Sequence, residues 1–436
     1  MKIYNEKDLE SDTTVVSIEG GVYDLVAFAP KHPGGNLIQA CGGLDCTALF
    51  YSMHPHNPQK NLRVLEKYRV GKMENGPKFN FSFDSPFANE LRDRVAEKVA
   101  QVTSHWYAPI GFWMRTIVII SLTLYFEYQW IITGSIAAMV AVGVLHAWIG
   151  LAVQHDASHG AFSSNPYINS FFAYGADWVG NTKWLWMQQH IIGHHPHTNI
   201  ENHDPDAHSA QPMLNFTSFP VATRPFLLQF QWLYMYLVLP VLRSFSGLQY
   251  SRTVIVKTTV KIPSDNAYLN RRKPFSYLMR LFYYARIVCA PIYLADVHWG
   301  TSDGGSTICS RILLTFVFVL SHNFLDSERF PLQNVSKGKP ADWYKLQAET
   351  SCSYGGNIAM FFTGGLNFQI EHHLFPRLCS WYYPFIAPTV VDVCKKYNVQ
   401  YIYYPSIFAN IYSTLKYMFL NGRRSGDARI ESLKQE

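Results

Sequence analysis

Charge is what this chain has little of: only 16% of its 436 residues are Asp, Glu, Lys or Arg, well under the roughly 25% of an average soluble domain. That deficit, together with 15% aromatic residues and several apolar runs of about twenty residues, argues for a membrane protein with soluble parts. Also lacking is any block of about five or six basic residues, which excludes a nucleic-acid tail. The modest net charge of +6 suits an anionic membrane surface. The seven cysteines (41, 46, 289, 309, 352, 379 and 394) form no CxxC pair and are odd in number. They read as reduced thiols and exclude a disulfide framework. There is no phosphate-binding loop, no nucleophile motif, no internal repeat, and no apolar signal segment over Met1–Asp8. The last absence puts the first domain in the cytosol and leaves membrane insertion to internal segments.

What is present is histidine, in three clusters beside strongly apolar sequence. They are His155-Asp156-Ala157-Ser158-His159, His190-Ile191-Ile192-Gly193-His194-His195 and Gln369-Ile370-Glu371-His372-His373. Imidazole is the commonest neutral nitrogen ligand for iron, copper and zinc. Seven imidazoles and one amide are too many for one ion and suit a pair. On a helix His155 and His159 share a face and can bind one ion, and His190 and His194 repeat that spacing. His195 adds a second direction, and Gln369, His372 and His373 form an i, i+3, i+4 face. A structural zinc site needs only four ligands. Paired irons activating dioxygen beside a bilayer would act on acyl chains, and would need electrons singly from a nearby redox partner.

The chain divides into three parts. Residues 1–75 predict a small α+β domain, with strand-like pieces at Thr14–Ile18 and Val22–Leu25 separated by Gly20-Gly21. Residues 76–110 hold a linker and a polar helix from Asp84-Ser85-Pro86 to about Val102, capped by the residues before Pro86. Residues 111–436 carry the apolar runs and the histidine clusters. Gly111–Gly134 and Ser135–Val153 are each long enough to cross a bilayer and form a hairpin. Arg92, Arg94, Lys98 and Arg115 lie on its near side. The return of the second span places His155 at the cytosolic face. Phe162–Trp186 is too broken by Asn, Pro, Gly and Asp to span, so the second cluster shares that face. Of Phe226–Leu242, Tyr277–Val297 and Thr307–Leu320, two must cross and the third lies in the interface. The third cluster must face the same centre, so an even number of spans separates it from the second, which leaves open which two of the three cross. Everything after Asp326 reads as cytosolic.

In the first domain, His32-Pro33-Gly34-Gly35 followed by Asp45-Cys46-Thr47, Phe50 and His54 resembles a cytochrome b5 domain, in which two histidines clamp a haem. His56 rivals His54 as the second axial ligand; the context Met53-His54-Pro55 favours His54. This fused domain with HDxxH, HxxxHH and a QxxHH resembles the front-end fatty-acyl desaturases over nearly the whole chain. Thr198-Asn199, Asp204-Pro205-Asp206, Glu349-Thr350-Ser351 and Gly364–Pro376 resemble the microbial and algal delta-5 and delta-4 enzymes. The tail Tyr382-Tyr383-Pro384, Ile386-Ala387-Pro388 and Tyr403-Tyr404-Pro405 is most similar to the delta-5 group.

The resemblance implies an α+β haem domain fused to an all-α membrane domain of about four transmembrane helices with a cytosolic cap, in the endoplasmic reticulum. It implies haem b on His32 and His54. It also implies a di-iron centre on His155, His159, His190, His194, His195, Gln369, His372 and His373, with His322 at the end of the last span as a further ligand. Electrons would come from NADH through cytochrome b5 reductase. The substrates would be dioxygen and a long-chain polyunsaturated acyl-CoA or acyl-phospholipid, with a cis double bond as the product. Alternatives are delta-4, delta-6 or delta-8 chemistry, an acyl or sphingolipid hydroxylase, or a haem- and metal-bearing membrane protein without catalysis. His146 is expected to be packed and hydrogen-bonded inside the second span. His197, His203 and His208 are expected to face solvent or support the ligands. Phe171-Phe172 and Trp381-Tyr382-Tyr383 are expected in an interfacial belt.

Overall fold

The computed structural model describes residues 1–201, 203–208, 214, 216, 226–235, 266–327, 335 and 339–423. The first domain is built on a four-stranded sheet of β1 (Lys2–Tyr4), β2 (Val15–Ile18), β3 (Gly21–Asp24) and β4 (Arg69–Met73), in the order β1-β4-β3-β2. β2 and β3 pair as an antiparallel hairpin about Glu19-Gly20, both at positive φ. Short helices, including Thr47–Met53 and Pro58–Leu65, cover one face and carry the histidines. An α+β domain followed by a helical domain with several apolar helices is the architecture that the composition shift predicts.

The segment after β4 ties the two parts together. Phe81–Ser82 pairs in parallel with Ala341–Asp342. Ser85 caps the helix Pro86–Ala100 by accepting from the Ala88 amide, and its hydroxyl donates to Asp342, 2.5 Å away. Asp342 in turn caps the helix Trp343–Glu349. Tyr51 of the first domain stacks on Phe83 with centroids 4.0 Å apart, and Phe83 meets Trp343. Apolar residues of both domains, from Val16 and Phe50 to Ile370 and Val390, belong to one continuous core.

Three helices among the described residues are long and apolar enough to cross a membrane: Ile110–Thr133, Ile136–Ser158 and Ala267–Ala295. The first two are the expected hairpin, turned by Gly134 at φ +61° and restarted by Ser135 as N-cap. The first exposes Met114, Ile117, Val118, Tyr125 and Tyr128, a face that only lipid would cover at no cost. The third begins ten residues before the apolar run expected there. The expected Thr307–Leu320 run lies inside a longer helix, Trp299–His322, whose C-terminal part is apolar. Of the Phe226–Leu242 candidate, Phe226–Phe230 forms a 3-10 turn, and positions 236–242 lie outside the described residues.

His146 is packed and hydrogen-bonded, as its neighbours predict. Its Nε2 lies 2.6 Å from Glu127 Oε1, which also accepts from Trp178 Nε1 at 3.1 Å and meets Arg286 Nη2 at 3.3 Å. Buried charges in spans persist only when paired, and this group locks the first, second and third apolar helices together.

Candidate metal centre

Eight histidines from five segments converge on one buried place, and their arrangement follows from two irregular helices. The second span ends not in α-helix but in a π-helical stretch, Ile149–Gln154, which leads into His155–Ser158. A second π-helix, Met187–His194, carries the second cluster into a 3-10 turn at His195–His197. A π-helix repeats at i+5 rather than i+4. His190 and His194 remain within reach of one ion with Asp206, but each also meets a second partner. His195, five residues on, puts its Nε2 3.1 Å from that of His190, while His194 Nε2 lies 3.2 Å from that of His322. Gly193 permits the wide turn: a Cβ there would sit 2.6 Å from Pro205 Cγ. The third cluster also divides. Its helix, Gln369–Leu374, points Gln369 and His373 one way and His372 another.

Two sets of ligand atoms result. His155, His159, His190 and His372 have theirs within 4.8 Å of one another, and His195 Nε2 joins them 3.0 Å from His372 Nε2. His194, His322 and His373 form the second set, with Gln369 Nε2 3.0 Å from His322 Nε2. His190, His194 and Asp206 also lie within reach of one ion. All eight histidines and Gln369 are less than 9% exposed.

Outer hydrogen bonds fix which nitrogen carries each proton. His194 Nδ1 lies 3.0 Å from Asp204 Oδ1, His322 Nδ1 3.1 Å from the Thr350 carbonyl, and His373 Nδ1 2.9 Å from Gln347 Oε1. These acceptors hold no proton, so each Nδ1 donates and each Nε2 is left as an acceptor. The Nε2 atoms of His194 and His322 lie 3.2 Å apart, with the Gln369 amide nitrogen 3.0 Å from the latter; a cation bound there would take both lone pairs. Both nitrogens of His159, Nε2 of His373 and Oε1 of Gln369 are buried without a hydrogen-bond partner. Burial depresses His190, His195, His372 and His373 well below the ordinary imidazole range, which keeps them neutral, the form that binds metal. Histidine without thiolate suits iron, copper or zinc, and the donor set fits two ions.

The residues that orient these ligands carry little signal in the sequence. Asp156 Oδ2 accepts from the Ser380 amide and hydroxyl, both at 2.9 Å, stapling the first cluster to the segment after the third. Tyr383, expected in an interfacial belt, is buried with its hydroxyl 3.0 Å from His372 Nδ1. Phe171 and Trp381 are exposed as expected. His197 and His203 do not face solvent: both are buried and bond the carbonyls of Gly193 and Glu201. The His208 side chain lies outside the described residues. Asp204 and Thr350 sit in family-like motifs that by themselves assign them no role; Gln347 gives no signal. Beside the second set lies a mostly apolar cavity of about 110 Å³, with Gly150, Leu185, Trp186, Leu314 and Phe318 in its wall together with His194 and His322.

In the first domain His32 and His54 face each other with ring centroids 6.0 Å apart. Two imidazoles bonded to one metal from opposite sides, at about 2 Å each, give nearly this spacing. His54 Nδ1 lies 2.8 Å from the Phe50 carbonyl, which frees its Nε2. His32 Nδ1 accepts from the Gly34 amide at 3.0 Å; a ring bound through Nε2 would exchange that contact for donation. Burial lowers both to about 4, so both are neutral. His56 turns away onto Trp106, with centroids 3.8 Å apart.

The outer acceptors carry a testable weight. Burial works to raise the Asp204 carboxyl, but the hydrogen bonds from His194 and the Asn199 amide oppose it, and the group is held below the usual carboxylate range. Asp204→Ala removes the group that orients His194, and metal affinity should fall about 10–100-fold with the fold retained. Metal retention after dialysis against a graded chelator, with circular dichroism as control, measures this; unchanged retention would contradict it.

Residues 2–74 match the cytochrome b5-like heme/steroid binding domain, and residues 128–405 match the fatty acid desaturase family. Over 97% of its length the chain is 32% identical to an acyl-lipid (7-3)-desaturase of Rebecca salina, covering 93% of that protein. It is 30% identical to the enzyme of the same name from Diacronema lutheri, over 97% of this chain and 94% of that one. It is 28% identical to the Delta(5) fatty acid desaturase A of Dictyostelium discoideum, over 93% and 90%. With its outer-bonded histidines and its N-terminal haem-type domain, the chain belongs to the fatty acid desaturase family, in the branch that carries a fused cytochrome b5 domain.

Proposed function

We propose that the protein is a front-end acyl-lipid desaturase with a di-iron centre held by His155, His159, His190, His195 and His372 on one side and His194, His322, His373 and Gln369 on the other. The observation that carries this reading is the convergence of eight buried histidines into sets of ligand atoms beside a mostly apolar cavity. Bound there, paired irons would supply dioxygen activation. The chain's own residues do the rest. Asp204, Thr350, Gln347 and Tyr383 hold the imidazole protons outward, and the cavity wall orients an acyl chain and keeps water from its methylenes. Haem held by His32 and His54 would supply electrons one at a time, themselves drawn from NADH through a cytochrome b5 reductase.

The protein is a membrane protein of this family. We propose four spans, an endoplasmic reticulum location, and the haem domain and histidine clusters on the cytosolic side. The apolar, exposed Ile358, Phe361 and Phe362 support a cap seated on the bilayer surface. We also propose that the functional units run over 1–75 for the haem domain, 76–110 for the linker and its helix, and 111–436 for the membrane domain.

Two positions for the new double bond have support. The C-terminal motifs around Tyr382-Tyr383-Pro384 favour delta-5, and relatives at 27% and 28% identity bear that name. The relatives at 32% and 30% bear the (7-3) name. Expression in a host without polyunsaturated products, fed candidate acids, with double bonds located by mass spectrometry of derivatives, decides between them. The reading predicts a cis double bond on the carboxyl side of an existing one, in the phospholipid pool before the acyl-CoA pool. A hydroxylated product, or none with haem and metal bound, would overturn it.

Gln369 offers a sharper test. Its amide binds iron through oxygen, more weakly than imidazole, and its buried Oε1 has no hydrogen-bond partner; O and N of such an amide are assigned by their neighbours. Gln369→Ala should abolish desaturation, and Gln369→His should retain part of it. Full activity in Gln369→Ala at unchanged metal content would make Gln369 a structural residue.

A further inference from the structure

His56 has no part in clamping haem, yet its placement is specific. It lies two residues from His54, and its buried Nε2 lacks a hydrogen-bond partner. Its ring stands edge-on to Trp106, centroids 3.8 Å apart at 85°. Trp106 belongs to neither domain core by sequence; it sits in the segment that links them. Its own ring meets Phe375 at 5.9 Å, and its carbonyl accepts from the Cys379 amide at 2.9 Å. Phe375 is fully buried, two residues from His373, with its amide bonded to the Glu371 carbonyl. Arg377 marks the same spot from the other side. Its positive charge bears on His32, His54 and His56 alike, while its Nε would lie 3.8 Å from a Cβ on Gly160, the neighbour of His159. The face bearing the paired histidines of the first domain and the ligand helix of the third cluster thus meet through three aromatic rings.

We propose that His56, Trp106 and Phe375 form the electron-transfer contact between the N-terminal domain and the metal centre. The proposal rests on the reading that His32 and His54 bind haem. In each transfer a ferrous haem is oxidised by one electron and the metal centre is reduced by one; no bond or proton changes at the three rings. Electron tunnelling falls steeply with distance through empty space, so packed rings are favoured over gaps. A second aromatic series exists: Phe50, Tyr51, Phe83, Phe81 and Phe79 lead from His54 to His197, with neighbouring centroids 4.0–6.0 Å apart. It needs five intervening rings to reach His197, two residues from the ligand His195, where the first needs three to come two residues from the ligand His373.

The test uses the full-length holoprotein under anaerobic conditions, where no turnover occurs. Haem is reduced by a laser flash with a flavin photosensitiser, and decay of the reduced Soret band reports electron departure to the oxidised metal centre. Trp106→Leu should slow that decay by about tenfold or more, equivalent to about 1.4 kcal/mol in the barrier. Trp106→Phe should restore most of the rate, and Phe83→Leu should leave it unchanged. Haem content, Soret position, haem midpoint potential and metal content should match the parent in all of them. If Trp106→Leu sheds haem or metal, Trp106→Phe and His56→Leu carry the test, the latter with the slowed decay. A parent-like rate in Trp106→Leu or in a holo His56→Leu overturns the proposal, and slowing in Phe83→Leu alone assigns the route to the longer series. Absence of haem from the parent protein would instead overturn the functional reading on which this rests.

Discussion

Buried imidazoles crowded onto one another organise this protein. An imidazole whose Nδ1 proton is committed to a carboxylate, a carbonyl or an amide oxygen, as in His194, His322 and His373, keeps only an acceptor on its other nitrogen. The fold brings ring nitrogens of the clusters to within 3.0–3.2 Å of one another in places sealed from water. Without cations this arrangement costs the desolvation of several polar groups with little in return. With two cations it becomes a preorganised donor set, and the binding free energy of the ions becomes folding free energy.

Much of the architecture serves that convergence. The π-helical stretch Met187–His194 brings His195 onto His190 and His194 onto His322, while His155 and His159 keep to one ligand set. Gly364, at φ +68°, lets the cap backbone come against Ala152, where any Cβ would lie 2.9 Å from the backbone. Asp156 ties the first cluster to Ser380, and Glu371, buried between the ligands of the third cluster, is held by Ser353 and Tyr401. In the spans, the Glu127, His146, Arg286 and Trp178 group fixes the helices whose ends deliver the ligands. Removing one member would leave an uncompensated buried charge, at a cost of about 3–5 kcal/mol. The N-terminal domain is not a loosely tethered donor: its core runs into that of the cap, which sets a fixed distance between the two redox sites.

The ligand set was legible in the sequence because it is compositional. Histidines clustered beside apolar runs fit few chemistries except metal binding, and His322 at the end of an apolar run followed by resemblance. The helix hairpin, the Ser85 cap and the β2–β3 hairpin were legible because they rest on local periodicity and turn chemistry. The division of the ligands was not. An i, i+4 pair implies a shared face only in an α-helix, whereas Met187–His194 is a π-helix in which His190 also meets His195 and Gly193 packs where a Cβ would strike Pro205, a tertiary contact. Tyr383 looked like an interfacial aromatic because sequence shows its type and not the helix Tyr383–Lys396 that turns it inward. His54 and His56 differ only in which neighbour each ring meets, Phe50 or Trp106.

On the proposed reading, the eight histidines and Gln369 hold two metal ions per chain, separate from haem. Iron counted against protein in the purified holoprotein, with Mössbauer spectroscopy of the ⁵⁷Fe-grown sample to distinguish haem from non-haem iron, tests it most directly. Two non-haem irons and one haem per chain are expected, with loss of thermal stability when the non-haem iron is removed by chelation. A single non-haem metal per chain, or none in a protein equally stable and still carrying its haem, would contradict it.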